Sequence, residues 1–285
     1  MRSIALLANP DSGQGEAEHV EELLRRAGAR IESFAVSEWR DAARAGAERL
    51  VVAGGDGSIA CAARGAAQAG IPLAVVATGT ANDFAAGMSL PAELEQACEL
   101  AVGGERTLAV ELGWVGDRPF VNVASVGLAP AAAEHADDLK PRIGALAYPV
   151  GAIKAGLTAH PIHCRVACDG EVIHDGDAWQ VSVASTGAFG GGASLETNAS
   201  DGKLDLVVIE AGGRVHLAKH AYGMRIGSVE GQVGVTDRRC SSVDLRLEAG
   251  DSLNVDGELV DATELAVDGT IHFGVADDAF ELVVG

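Results

Sequence analysis

Three short apolar runs near the start of the chain, Ile4 to Ala8, Leu50 to Ala53 and Leu73 to Ala77, each end in a turn of small residues. The turns read Asn9-Pro10-Asp11-Ser12-Gly13-Gln14-Gly15, Gly54-Gly55-Asp56-Gly57-Ser58 and Thr78-Gly79-Thr80-Ala81-Asn82-Asp83. Helix-like stretches follow them, over Glu16 to Ala27, over Ile59 to Ala69, and from a start near Asn82 or Asp83. A further helix is predicted over Ala92 to Val102. Parallel strands need a crossover connection, so strand, turn and helix in this alternation build a doubly wound α/β sheet.

In such a sheet all three turns fall on the carboxyl edge. Ligands of open α/β folds bind at that edge, and glycine lets backbone N–H groups approach a phosphate at a helix N-terminus. One such turn is explained by a tight strand-to-helix connection, whereas three in one domain point to phosphate. Neither G-x-x-x-x-G-K-S/T nor G-x-G-x-x-G follows a strand, so the cradle is neither a P-loop nor a dinucleotide fingerprint.

Asp56 is the informative residue of the second turn. A carboxylate among phosphate-holding amides repels the ligand unless a divalent cation or a hydroxyl proton stands between them. It points to magnesium or to general-base work, with a helix N-cap as the plain alternative. The Asp-Gly dipeptide itself carries no weight, since it recurs at Asp169, Asp201, Asp256 and Asp268 where an ordinary turn suffices.

From about Phe120 the texture changes to period-two strands separated by Asp-Gly turns, at Ile162 to Cys168, Trp179 to Ala184, Leu204 to Ile209 and Val243 to Leu247. Helical patterns interrupt them at Ile143 to Leu157 and between Arg214 and Ile226. A length of 285 residues suits two domains of roughly 150 residues. The division predicted is an α/β nucleotide-binding domain over residues 1–118 and a β-rich substrate domain over residues 119–285.

The net charge of −20 repels phosphodiester backbones and anionic headgroups, which argues against nucleic acid and against polybasic docking on a membrane. The run from Ile4 is stopped by Asn9 and Pro10, short of a signal peptide. Ile143 to Ile153 contains a proline and falls well short of the roughly 20 residues of a spanning helix. A cytoplasmic protein is expected. Its five cysteines, Cys61, Cys98, Cys164, Cys168 and Cys240, are scattered without a C-x-x-C pair and read as buried thiols in a reducing compartment. His216 with His220 and His160 with His163 have helical spacing but no cluster of cysteine or acidic residues beside them, and read as ordinary histidines.

In order and spacing, Asn9-Pro10-x-Ser12-Gly13, Gly54-Gly55-Asp56-Gly57-Ser58 and Gly79-Thr80-Ala81-Asn82-Asp83-Phe84-Ala85 resemble the diacylglycerol kinase catalytic-domain family. That family includes bacterial lipid kinases and is related to sphingosine kinases. Later segments are similar too: Phe120-Val121-Asn122-Val123, Gly190-Gly191-Gly192 with Asp201-Gly202-Lys203-Leu204-Asp205, and Val255-Asp256-Gly257-Glu258. The likeness spans nearly the whole chain. It implies a parallel, Rossmann-like N-terminal domain of the NAD-kinase type, a mostly β, sandwich-like C-terminal domain, and ATP and magnesium as cofactors.

By the same resemblance, Asn9, Ser12, Gly13, Ser37, Gly54, Gly55, Asp56, Gly57, Ser58, Gly79, Thr80, Asn82 and Asp83 hold ATP. Asp56 would organise the metal or its water, and Glu258, supported by Asp256, would accept the proton of a lipid hydroxyl. Asn198, Asp201 and Lys203 would ligate a structural magnesium. Partners implied are ATP, a diacylglycerol-like lipid, a transient membrane surface and a second copy in a homodimer. The chain departs from the family where Ile59, Ala60 and Cys61 follow Ser58 in place of Asn-Glu, and where Ala77 and Thr78 replace a proline. Two other functions compete: a same-fold kinase of a sphingoid base or smaller polyol, and a nucleotide-binding regulatory protein without catalysis.

Overall fold

The structure, a computed structural model, describes residues 1–8, 16–80, 82–128, 160–185, 201–212, 234–248, 250–276 and 279–285. The helical patterns at Ile143 to Leu157 and Arg214 to Ile226, His216 with His220, and Gly190 to Gly192 lie outside these residues. Among the described residues, Met1–Leu112 and Ala276–Gly285 belong to one compact unit, and Gly113–Val275, Asp201 apart, to another.

The first unit alternates strand and helix as its sequence pattern dictates. In chain order it contains β1 (Arg2–Ala8), α1 (Glu16–Arg26), β2 (Ala29–Ala35), α2 (Trp39–Arg44), β3 (Arg49–Gly54) and α3 (Asp56–Ala69). Then come β4 (Leu73–Ala77), α4 (Asp83–Gly87), α5 (Leu94–Gly103) and β5 (Arg106–Val110). The six-stranded sheet has the order β2-β1-β3-β4-β18-β5, where β18 is the last strand, Phe280–Val284. Strands β1 to β4 are parallel, β18 runs parallel to β4, and β5 is antiparallel to β18.

Every residue of β3 is buried, as expected for a strand covered on both faces. On one face Val20, Leu23 and Leu24 of α1 and Ala97, Cys98 and Ala101 of α5 pack on Ile4, Leu6, Val51, Ala53 and Val76. The C-terminus of α5 is closed by two arginines: Arg49 donates to the Ala101 and Gly104 carbonyls at 2.6 and 2.8 Å, and Arg2 to the Val102 carbonyl at 2.7 Å. Cations at that end offset the helix dipole and satisfy carbonyls that the helix leaves open.

The predicted second domain running through residue 285 is corrected at its end. The chain returns to the first sheet, and β18 lies between β4 and β5, with the Phe280 ring 6.3 Å from that of Phe84. An apolar run such as Phe280–Val284 states that it is buried but not in which sheet, so nothing local announces the return.

The second unit is antiparallel. Its elements are β6 (Gly113–Val115), β7 (Arg118–Phe120), β8 (Val123–Gly127), β9 (Ile162–Cys168), β10 (Glu171–Ala184) and β11 (Leu204–Glu210). They continue through β12 (Val235–Cys240), β13 (Ser242–Leu247), β14 (Ser252–Val255), β15 (Glu258–Asp261), α6 (Ala262–Leu265), β16 (Ala266–Val267) and β17 (Thr270–Val275). Twelve strands form one sheet along the path β15-β14-β8-β10-β9-β13-β17-β6-β7, with β11, β12 and β16 off the path. Alternate residues point inward to one core, including Ala124, Val126, Val166, Val181, Val183, Leu206, Val243, Leu245, Leu253 and Phe273. The two ends of the path meet: Arg118 of β7 pairs with Glu258 of β15 at 3.1 Å.

The expectation of unpaired thiols is also corrected. Cys168, at the end of β9, is disulfide-bonded to Cys240, at the end of β12, across 72 residues. Pairing follows from register: Val243 stands opposite Cys168, and the chain turns from β12 into β13 with only Ser241 between. Cys98 and Cys164 do behave as buried thiols, with burial pushing them up to about 11 and about 12. Thiols held in the protonated form are unreactive.

Candidate active site

The parallel strands end level with one another, Ala8 opposite both Ala35 and Ala53, and Gly54 opposite Ala77. The segments that follow β1, β2, β3 and β4 therefore leave from one edge. Chain direction across the sheet reverses between β1 and β3, the switch point at which open α/β folds bind their ligands. Asn9, Ser12 and Gly13 lie outside the described residues. Ser37 sits on this edge in a single exposed turn, Val36–Glu38, after β2.

The loops after β3 and β4 are pressed together, backbone on backbone. The Thr78 N–H donates to the Gly54 carbonyl at 3.1 Å. A Cβ placed on Gly79 would stand 2.7 Å from the Gly55 Cα and 2.8 Å from the Asn82 Oδ1, so no larger residue fits. Asn82 adopts φ of 53°, which asparagine tolerates better than most residues, and its amide donates to the Gly79 carbonyl at 2.9 Å. The N-terminus of α3, with Asp56, Gly57 and Ser58 in its first turn, opens beside this contact, and Thr80 is exposed next to it. Oriented N–H groups at the start of a helix of this length favour an anion.

Asp56 has a structural role that its local sequence does not announce. Its Oδ1 accepts the Phe84 N–H at 2.9 Å and its Oδ2 the Asp83 N–H at 3.3 Å, so the first turn of α3 holds the first turn of α4. The Asp83 carboxyl is in turn pushed above the ordinary aspartate range, first by burial and then by the Asp56 charge. The Asp56 carboxylate thus holds the Asp83 backbone, and its charge acts on the Asp83 carboxyl. Sequence reading named both residues without linking them, because 27 positions separate the pair and only the adjacency of β3 and β4 joins them.

In the second unit, Asp256 and Gly257 form a two-residue hairpin loop between β14 and β15, with φ of 48° and 94°. Positive φ at both central residues marks a type I′ turn, in which Asp-Gly is favoured. The Asp256 carboxylate accepts three backbone N–H groups, from Val121 at 2.7 Å, Asn122 at 2.9 Å and Val123 at 3.0 Å. Its carboxylate is therefore a brace, tying the turn to the segment between β7 and β8. The Asp169-Gly170 hairpin is built alike, with φ of 49° and 83° and its Asp169 Oδ1 accepting the Ser241 and Ser242 amides. Turn geometry alone does not distinguish the two Asp-Gly-Glu triplets.

Glu258 is exposed, and its Oε2 takes a hydrogen bond from the Arg118 guanidinium at 3.1 Å. Arg118 escaped the sequence reading, and with 140 residues between the partners no local signal could have paired them. Of the predicted structural magnesium ligands, Asn198 lies outside the described residues, Asp201 is half-buried and Lys203 is exposed just before β11. Among the described residues no cluster of three or more His, Cys, Asp or Glu side chains is arranged to hold a metal. His163 is occupied by Asp177 at 2.9 Å, as an ordinary surface histidine would be.

Comparison with known proteins agrees with this geometry. Residues 3–115 match the diacylglycerol kinase catalytic domain, and residues 122–272 match the YegS C-terminal NAD kinase beta sandwich-like domain. The "Probable lipid kinase YegS-like" protein of Pseudomonas syringae pv. syringae is 29% identical over 252 residues, covering 84% of this chain and 79% of the relative. That of Pseudomonas savastanoi pv. phaseolicola is 30% identical over 235 residues, covering 79% and 74%. In fold the chain resembles a diacylglycerol kinase from Bacillus anthracis, with TM-score 0.76, 19% identity and coverage of 100% and 97%. It also resembles an NAD kinase from Archaeoglobus fulgidus solved with ATP, with TM-score 0.55, 15% identity and coverage of 99% and 93%. The catalytic-domain match begins in β1 and ends in β6, and the second match takes in the brace at Asn122 and Asp256: the chain belongs to the diacylglycerol kinase catalytic-domain family, with a C-terminal domain of the YegS type.

Proposed function

We propose that the chain is an ATP-dependent lipid kinase that moves the γ-phosphate of ATP to a lipid hydroxyl, that of diacylglycerol. The observation that carries the reading is the contact of Gly55 with Gly79, where neither residue carries a Cβ, beside the N-terminus of α3 at the carboxyl edge. The lipid class is supported by the names of the YegS-like relatives, and diacylglycerol by the family's catalytic domain.

Magnesium fits one place among the described residues. Asp56, whose oxygens also accept the Asp83 and Phe84 amides, and Asp83, on whose carboxyl the Asp56 charge acts, are the two carboxylates proposed for it, since magnesium takes one or two carboxylates together with substrate phosphates. When bound there it would neutralise charge on the transferring phosphoryl group. The further site at Asn198, Asp201 and Lys203 rests on the resemblance alone. In the chemical step Glu258 takes the proton from the lipid hydroxyl, whose oxygen bonds to the γ-phosphorus as the bond to ADP breaks. Arg118 pairs with the Glu258 side chain, and Asp256 braces the turn that carries it. A lipid substrate brings transient contact with a membrane surface. Among the described residues no helix is long and apolar enough to cross a membrane.

The test is a substrate panel with ATP and magnesium, in which diacylglycerol, sphingosine and glycerol are offered to wild type and to Glu258→Gln. Phosphatidic acid is the expected product. The substitution is expected to lower turnover by about 10²- to 10⁴-fold, the usual contribution of a positioned base, with ATP affinity unchanged. Transfer to sphingosine or glycerol alone would move the assignment to the sphingoid or polyol reading. ATP binding without transfer to any acceptor would favour a regulatory protein, the reading suggested by Ala60 and Cys61 on α3.

A further inference from the structure

On the outer face of the second unit, strands β9, β13 and β17 bring together a row of charged side chains that no predicted site includes. Arg165 of β9 stands directly opposite Arg246 of β13 in the antiparallel register. Like charges facing each other across a strand pair destabilise a sheet unless something lies between them. Here they line a recess of about 340 Å³, whose other walls are Ala167, Asp244, Thr270 and His272.

The charges in the recess are unevenly committed. Arg165 is paired with Asp175 at 3.0 Å, and His272 with Asp244 at 2.7 Å. The carboxylates at the rim are therefore each engaged by a partner. Arg246 differs: its Nε donates to the Thr270 hydroxyl at 2.9 Å, and among the described residues its two terminal nitrogens meet no acceptor. Thr270 is 7% exposed, so a buried hydroxyl aims the guanidinium and fixes its plane. A guanidinium held by Nε presents its remaining fork of N–H groups in the geometry that suits two oxygens of a tetrahedral anion. The volume admits a phosphate group with a few waters or a short ester arm. In a chain of net charge −20, two guanidinium groups facing each other across one recess gather N–H donors in one place, with the Asp244 carboxylate of the same wall turned to His272.

We propose that this recess is a phosphate-binding site, in which the Arg246 fork and Arg165 hold a phosphomonoester or phosphodiester group. The proposal stands independently of the kinase reading, since it uses none of that site's residues. Phosphate of this kind comes either from a lipid headgroup or from solution, and the two sources are separable by experiment.

The experiment is binding by the full chain, measured by calorimetry with inorganic phosphate and by co-sedimentation with vesicles of phosphatidylcholine alone or with added phosphatidic acid. Wild type is compared with Arg246→Ala and Arg246→Lys, each checked for an unchanged melting temperature. Thr270→Val, which keeps the shape but loses the hydroxyl, serves as a second probe of the fork's orientation. Expected is binding weakened about ten-fold or more by Arg246→Ala, with only partial recovery in Arg246→Lys because the fork is lost. If calorimetry reads that loss the source is soluble phosphate, and if only phosphatidic acid vesicles read it the source is a headgroup. No binding of either probe by wild type, or binding equal in wild type and Arg246→Ala, would overturn the proposal.

Discussion

At the scale of single residues, Gly79 is the position where the geometry is least forgiving. Gly79→Ala puts a methyl group 2.7 Å from the Gly55 Cα, and the loops must part to admit it. Overpacking of this kind costs about 1–3 kcal/mol, and ATP affinity should fall about ten-fold or more as the α3 N-terminus is displaced. Urea titration and calorimetry with ATP measure the two effects. Asp256→Ala leaves the Val121, Asn122 and Val123 amides without their acceptor and should cost about 3 kcal/mol in the same titration. If Asp256 were instead a group that handles protons, turnover would drop with stability unchanged. Asp251 gives a prediction in pH: burial first, then the Glu248 charge, raises its carboxyl above the ordinary aspartate range. A folded-state value above the unfolded one means a contribution that is complete below the unfolded value and lost as pH rises through the folded one. Asp251→Asn should therefore raise the melting temperature at neutral pH and leave it unchanged in acid below the ordinary aspartate range.

At the scale of elements, the Cys168–Cys240 bond joins the ends of β9 and β12, which are not hydrogen-bonded neighbours. Closing a loop of that length restricts the unfolded chain by about 4 kcal/mol in the loop-entropy account. Replacing both cysteines by serine should lower the denaturant midpoint accordingly, and reductant should then have no further effect on the double variant. The same elements show what the residues disclosed and what they withheld. Strand, glycine turn and helix follow one another within about twenty residues, so β1, β3, α3, β4 and the carboxyl-edge loops were legible from local pattern. Strands β9, β11 and β13 were legible from period-two alternation. The disulfide, the brace of Asp256 on residues 121–123, the Arg118–Glu258 pair and the return of β18 all join segments 72 to about 200 residues apart or leave sheet membership open. Each is decided by register and sheet order, to which a single sequence gives no direct access.

At the scale of the whole molecule, the proposed function asks a chain of net charge −20 to hold a polyanionic nucleotide and act on a lipid. In the proposed reading, fixed backbone N–H groups beside the glycine contact, rather than lysines, would accommodate the nucleotide. The same net charge repels anionic bilayers, so a neutral detergent micelle is the presentation in which the lipid is reached without an electrostatic penalty. The measurement that tests the kinase assignment most directly is transfer of labelled phosphate from ATP, with magnesium, to a mixed lipid extract in neutral micelles, comparing wild type with Asp56→Ala. Expected is one labelled lipid with the mobility of phosphatidic acid, lost in the variant because the tie between α3 and α4 and one of the carboxylates proposed for magnesium are gone. ATP binding by wild type with no labelled lipid, or equal labelling by wild type and Asp56→Ala, would contradict it.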